Sequence, residues 1–350
     1  MTIEPMELKI GLIGFGNAAR AFARLLEERQ ARLFGDYGVR VRATAIATAR
    51  HGCILADEIS LADAVFACES GVGLGSLPGV VTVSDSFELI RACDADILFE
   101  TTPLNPIDGE PAIAHVRNAL ERGISVVTAN KGPLAFAFKE LKAIAEKRGV
   151  AFRFEGAVMD GAPVFNLVET CLPATEVLGF SGVLNSTTNF ILTEMAGGRS
   201  FDDALVEARR LGIAEANPDY DIDGWDAAVK CVALANVLMR ADARPGDVAR
   251  TGIRQIGSLQ LKEAAARGNV VRLIARATVS GDRLRLSVAP EEVAADSIYG
   301  SARGTSSVLV LETDLMGELA LVETDPGIRQ TAYALLSDMM RVYQELDSNN

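Results

Sequence analysis

The run Leu8-Lys9-Ile10-Gly11-Leu12-Ile13-Gly14 is short and apolar, and it passes without a spacer into Gly14-Phe15-Gly16-Asn17-Ala18-Ala19. Ala21, Phe22, Leu25 and Leu26 then recur at helical spacing, so the segment reads strand, glycine turn, helix. Gly14 suits the tight turn, Gly16 allows a backbone to approach a pyrophosphate, and the helix N-terminus faces that anion. Ala19 at the third position still permits close helix-to-strand packing. A lone pattern of this kind also occurs as an ordinary βα turn, but the flanking strand and helix favour a dinucleotide cradle with Gly14, Gly16, Asn17 and Ala18 as contacts.

A second strand is expected over Val41–Thr48. At its end an NAD-preferring site places an acid against the ribose hydroxyl, whereas this chain has Thr48, Ala49, Arg50 and His51. Arg50 either accommodates a 2′-phosphate or is a solvated loop residue, and the reading leans towards NADP over NAD. Further strands fit at Val80–Val83, Ile97–Glu100 and Ser125–Thr128, separated by helical stretches such as Pro111–Arg122 and Leu134–Arg148. This alternation predicts an α/β fold with a Rossmann-type, doubly wound parallel sheet. Ligands of such sheets bind beyond the carboxyl ends of the strands, which places Thr101, Thr102 and Lys131 at the rim.

Near Arg148 the rhythm ends, and the expected division is a dinucleotide-binding domain over 1–150, joined by a C-terminal helix at about 326–350, and a second mixed α/β domain over 151–325. In the second half, Asp226 and Lys230 are four apart at the start of a helix predicted over Trp225–Arg240, so they share a face. A lone pair of this kind is usually an exposed salt bridge of little energetic value. Here Ala227, Ala228, Val232, Ala233, Leu234 and Val237 make the helix apolar on all sides, so Lys230 is expected to be partly buried with a partner. Glu215, Asp219, Asp221 and Asp223 precede it in a turn-rich loop that lacks the acid spacing and closing glutamate of an EF-hand. Val270–Val279, Arg283–Val288 and Val308–Val322 read as strands, with Gly281-Asp282 as a hairpin turn, and form a sheet suited to a subunit interface.

Acidic residues outnumber basic ones 47 to 34, for a net charge of −13, which argues against nucleic acid or an anionic membrane as partner. The N-terminus carries Glu4 and Glu7 where a secretory leader has positive charge, and no run reaches the roughly 20 apolar residues of a span. Five scattered cysteines without CxxC spacing, and only two histidines, predict a reduced, cytoplasmic protein without a zinc site.

These residues resemble the homoserine dehydrogenase family, through the GFGNAA turn, the TANK segment ending at Lys131, GVLNSTTNFIL at 182–192, and LGIAEANPDYDIDGWDAAVK at 211–230. The resemblance implies a dinucleotide-binding domain plus a substrate and dimerisation domain, and reversible reduction of aspartate 4-semialdehyde to homoserine with NADP or NAD. It implies that Lys131 and Lys230 flank the reacting carbonyl, and that Glu215, Asp221, Asp226, Ser186 and Thr187 serve the amino-acid substrate. A monovalent cation such as sodium would be held by the main-chain carbonyls of Glu155, Val158, Asp160 and Ala162, and the protein would be a homodimer. The match also implies a short form without the appended ACT module of some relatives, so feedback through such a module is not expected.

Three departures stand out: Ser186 where the family commonly has glycine, Ile213 where it commonly has tyrosine, and Val322–Ile328 where it commonly has a glycine-rich stretch. The final helix, Ile328 to Leu346, is expected to pack back on the nucleotide domain. Two other readings remain open: a dehydrogenase of the same fold acting on a related amino or hydroxy acid, and a non-catalytic nucleotide-sensing protein.

Overall fold

The computed structural model of the chain describes residues 6–215, 217–281 and 283–348. Two compact units emerge, one made of 1–133, 137–161 and 327–350, the other of 134–136 and 162–326.

The first unit begins β1 (Met6–Ile13), α1 (Asn17–Tyr37), β2 (Val39–Thr48), β3 (Gly52–Leu55), α2 (Leu61–Glu69), β4 (Val81–Val83), α3 (Ser86–Ala92) and β5 (Ile97–Glu100). It continues with α4 (Ala112–Glu121), β6 (Ser125–Thr128), α5 (Gly132–Arg148) and β7 (Phe152–Arg153). These strands form one sheet in the order β4-β3-β2-β1-β5-β6-β7. β2, β1, β5, β6 and β7 run parallel, as the strand–helix alternation predicts.

The edge departs from that expectation, because β3 pairs antiparallel with β2, and β4, expected among the parallel strands, pairs antiparallel with β3. Only Ala49, Arg50 and His51 separate β2 from β3, too few for the crossover that a parallel neighbour needs. Leu8, Ile10 and Leu12 of β1 are fully buried, as are Phe22 and Ala19 of α1. The ring of Phe22 packs on Phe99 of β5 with centroids 4.6 Å apart. The C-terminal helix (Ile328–Ser348) joins this same core through Ala332, Leu335, Met339 and Val342. α5 is kinked where Ala137 leaves helical geometry at φ −146°.

The second unit contains α6 (Val164–Asn166), β8 (Val177–Val183), α7 (Ser186–Ala196), α8 (Phe201–Arg210), α9 (Asp219–Ile222), α10 (Trp225–Leu238) and β9 (Ala249–Arg250). It is completed by α11 (Ser258–Ala266), β10 (Asn269–Ser280), β11 (Arg283–Ala294), α12 (Ile298–Ser301), β12 (Ser307–Thr313) and β13 (Gly317–Glu323). The sheet order is β13-β12-β8-β10-β11-β9, antiparallel except for the short β11/β9 pair. The span Val308–Val322, read as one strand, is a hairpin whose arms pair from Ser307↔Glu323 to Thr313↔Gly317. Ser280 pairs with Arg283 across the predicted Gly281-Asp282 turn; Asp282 itself lies outside the described residues. α10 is buried along almost its whole length, from Asp226 to Asn236, which explains why an amphipathic stripe is missing from its sequence.

Candidate active site

In the first unit the glycine turn is built by two constraints on one residue. Gly14 has φ +82°, and a Cβ there would meet Thr101 C, Thr101 O and Thr102 N, each at 2.7 Å. The close approach lets Thr101 Oγ1 donate to the Gly14 carbonyl at 2.6 Å, while the Gly14 amide donates to Ala47 O at 3.0 Å. Next along the chain, Gly16 is the N-cap of α1, without a side-chain cap and without an acid in the first turn. Among the described residues nothing lies within 4 Å of the space over its Cα. An uncapped helix start with uncovered amides fits the pyrophosphate of a dinucleotide. Asn17 turns its Oδ1 towards Arg20, accepting from Nη2 at 2.8 Å, and Ala18 follows in the first turn.

The β2–β3 turn is set by Thr48, whose Oγ1 accepts from the His51 amide at 2.6 Å. Arg50 is solvent-exposed at its tip, and no carboxylate occupies Thr48 to His51. At the ends of β5 and β6, Thr101, Thr102 and Lys131 are all half-buried. Glu155 and Val158 are buried, and Asp160 adopts φ +39° with Oδ1 accepting from Thr331 Oγ1 at 3.0 Å. The Glu155 amide donates to Asp338 of the C-terminal helix at 2.7 Å. Ala162 begins the long segment of the second unit, its carbonyl accepting from the Val164 amide at 2.8 Å. Among the described residues there is no cluster of three or more His, Cys, Asp or Glu able to hold a metal.

The second unit gathers the charged cluster. Asp226 sits in the first turn of α10, where the helix N-terminus favours an anion. Lys230 lies one turn on, with Nζ 3.4 Å from Asp226 Oδ2 and side-chain exposures of 16% and 10%, so the pair is buried rather than surface-borne. Lys230 Nζ also donates to Leu184 O at 2.7 Å, at the exit of β8.

Asn185 joins the acids: its Nδ2 donates to Asp221 Oδ1 at 2.7 Å and to Asp226 Oδ2 at 3.0 Å. Its Oδ1 meanwhile accepts from the Thr188 amide at 2.8 Å, capping α7. Burial, and then the Asp226 charge, push the Asp221 carboxyl above the usual carboxylate range, against hydrogen bonds from Asn185 and Thr187. Thr187 is buried and donates to Ile213 O at 3.1 Å, Ser186 is half-buried at the start of α7, and Glu215 is exposed on the loop after α8.

The other two acids of the loop face elsewhere. Arg254 binds Asp219 at 2.7 Å and Asp223 at 2.9 Å, latching α9 from outside. Gly252 makes this latch possible, because a Cβ there would lie 2.3 Å from Ile222 O. Of the four loop acids, Arg254 thus holds two, while Asp221 joins Asp226 through Asn185 and Glu215 is exposed. Sequence reasoning missed Asn185 and Tyr220. The Tyr220 hydroxyl is buried with no hydrogen-bond partner among the described residues, and burial with the nearby Asp226 and Asp221 charges pushes its pKa up, keeping the phenol neutral. No spacing in the sequence marks either role; Asn185 is visible only as a helix cap.

A dinucleotide turn at the carboxyl edge of a parallel sheet, and a buried ammonium–carboxylate cluster in a second α/β unit, define an NAD(P)-dependent oxidoreductase. The profile described as homoserine dehydrogenase, NAD binding domain, matches residues 14–155, and that described as homoserine dehydrogenase matches residues 163–340. The chain belongs to the homoserine dehydrogenase family. It is 38% identical to an NAD(+)-dependent homoserine dehydrogenase of Pseudomonas canavaninivorans, covering 97% of each chain. Identity to a homoserine dehydrogenase of Methanocaldococcus jannaschii is 36%, over 96% of this chain and 98% of the other. Among solved structures, a putative homoserine dehydrogenase from Archaeoglobus fulgidus superposes with TM-score 0.86 at 32% identity, covering 96% of this chain and 99% of the other. A hyperthermophilic archaeal homoserine dehydrogenase in complex with NADPH superposes with TM-score 0.82 at 30% identity, covering 97% and 98%.

Proposed function

We propose that the chain interconverts L-aspartate 4-semialdehyde and L-homoserine, and that Lys230 and Lys131 act on the carbonyl oxygen. The observation that carries the reading is the buried Asp226–Lys230 pair, held by the Leu184 carbonyl and by Asn185. A buried pair of this kind brings little stability for its desolvation cost, which suits a group kept for chemistry.

A reduced nicotinamide, when bound, would supply the hydride. Gly14, Gly16 and the amides of Asn17 and Ala18 would hold its pyrophosphate, with Thr101 and Thr102 beside the sheet edge. As the carbonyl carbon accepts hydride, negative charge grows on its oxygen; the lysine ammonium stabilises that charge and donates the proton that completes the alcohol. Asp226, Asp221 and Glu215 bind the substrate ammonium, while the hydroxyls of Ser186 and Thr187 serve its carboxylate.

Arg50 at the β2 exit supports NADP as the preferred coenzyme. The carbonyls of Glu155, Val158, Asp160 and Ala162 are the proposed seat of a monovalent cation. The second sheet, with Leu178, Val279 and Val322 exposed on its strands, supports a homodimer. The five cysteines, none in a disulfide, suit a reduced cytoplasmic setting, and among the described residues no helix is long and apolar enough to cross a membrane.

Following NADPH consumption with aspartate 4-semialdehyde tests the activity, and background turnover by well-folded protein would refute it. Lys230→Ala abolishes turnover with coenzyme binding intact; surviving turnover would refute the role of that amine. A second reading, a dehydrogenase for a related amino or hydroxy acid, is favoured by Ile213 and Ser186, and a substrate panel separates the two.

A further inference from the structure

Glu100, the last residue of β5, is fully buried, and among the described residues its carboxylate is bound by Thr102 of the loop that follows and by Thr128, the last residue of β6. Its Oε1 accepts from the Thr102 amide at 3.2 Å and from the Thr102 hydroxyl. Its Oε2 accepts from Thr128 Oγ1 at 3.3 Å, a hydroxyl that also reaches the Glu100 carbonyl at 2.9 Å. Thr128 Oγ1 in turn accepts from the Asn130 amide at 3.0 Å, and Asn130 Nδ2 donates to Thr102 O at 3.0 Å. The ring is therefore closed: Glu100, Thr102, Asn130, Thr128 and back to Glu100. Asn130 Oδ1 finally accepts from the Gly132 amide at 2.9 Å, bridging over Lys131.

We propose that Glu100 is a positioning residue for Lys131, acting through Thr102, Thr128 and Asn130 to fix the backbone from which that lysine projects. The proposal rests on the reading of Lys131 as a group that touches the substrate. The Thr102 amide and hydroxyl both point at Oε1, and the single Thr128 hydroxyl proton is shared between Oε2 and the Glu100 carbonyl; glutamine would replace one of the two acceptor oxygens with a donor. Burying a carboxylate is costly unless it is paired. Beside it lies the buried His115, with Nδ1 3.7 Å from Glu100 Oε1 and Nε2 on Ser86 Oγ at 2.8 Å. An apolar residue would serve the core better; what it cannot do is tie the β5 loop to the β6 loop. The neighbouring Thr101 makes a separate contact, holding the Gly14 carbonyl of the dinucleotide turn, so the Glu100 ring bears on the lysine and not on that turn.

The test is Glu100→Gln alone and combined with Lys131→Arg, scored by kcat, substrate KM and NADPH Kd. The expected result for Glu100→Gln is a fall in kcat of about tenfold to a hundredfold, the cost of a displacement near 1 Å, with KM and Kd within about threefold. In the Lys131→Arg background the same change adds little, because residues that act as a unit are not additive. Asn130→Ala, which cuts the link nearest the lysine, reproduces the kcat loss and carries the test where Glu100→Gln fails to fold. Effects that multiply in the double variant, or a kcat loss matched by weakened NADPH binding, overturn the positioning role while leaving Lys131 in place. Unchanged turnover in both Lys131→Arg and Lys131→Ala overturns the reading of Lys131 and the proposal with it.

Discussion

Asn185 holds three partners at once, and two substitutions separate what it does for folding from what it does for the acids. In Asn185→Ala the α7 cap is lost, at about 1 kcal/mol, and Asp221 and Asp226 each lose a donor at 2.7 and 3.0 Å. A hydrogen bond to a charged group contributes roughly 1.5–3 kcal/mol, so the whole change costs about 4–7 kcal/mol and lowers the melting transition of a unit this size by about 8–28 °C.

Asn185→Asp keeps an oxygen for the Thr188 amide but sets a third carboxylate against two others. That carboxyl titrates above its unfolded value, since its neighbours are anionic. The folded form therefore binds the proton more tightly, and stability relative to the parent is lost as pH rises through the raised value. Thermal melts at about pH 5 and about pH 8 read this directly: the deficit of Asn185→Asp widens at the higher pH, while that of Asn185→Ala changes less. An Asn185→Asp protein whose deficit is the same at both would refute the bridging role.

Asp221→Asn should raise stability near neutral pH and reduce homoserine turnover. Its raised carboxyl pKa means that the native fold favours the protonated form, so its stabilising contribution is present at low pH and is lost as pH climbs through the folded value; melts across the acid range check the sign. Gly14→Ala forces a side chain into the left-handed region and against Thr101 and Thr102, so a loss of at least about 2 kcal/mol and abolished NADPH binding by fluorescence titration are expected. Thiol labelling of the native chain should modify Cys171 alone, because Cys53, Cys68, Cys93 and Cys231 are buried and burial raises each thiol, that of Cys231 to about 12; mass spectrometry counts the adducts.

What was legible in the chain was what local rules encode. The β1–turn–α1 unit follows from an apolar run, two glycines and a helical repeat, and the Asp226–Lys230 pairing follows from a spacing of four on an apolar helix. The hairpin inside Val308–Val322 was hidden because its turn contains Leu315 and Met316, 67% and 58% exposed, which read as more strand. The antiparallel edge was hidden because β3 and β4 are four and three residues long. Asn185 and Glu100 escaped for another reason: beyond their local contacts, the partners that join them to Asp221, Asp226 and Thr128 lie 36, 41 and 28 residues away, and no periodicity reaches across such distances.

The return of the last helix has a consequence for biogenesis. Leu335, Met339 and Val342 belong to the same core as Leu8, Ile10 and Phe22, so a nascent chain still on the ribosome holds the N-terminal sheet with one wall missing. Residues 162–326 are complete before that wall emerges, and can mature first. A premature stop just after Pro326 would therefore cripple the part of the protein that was made earliest.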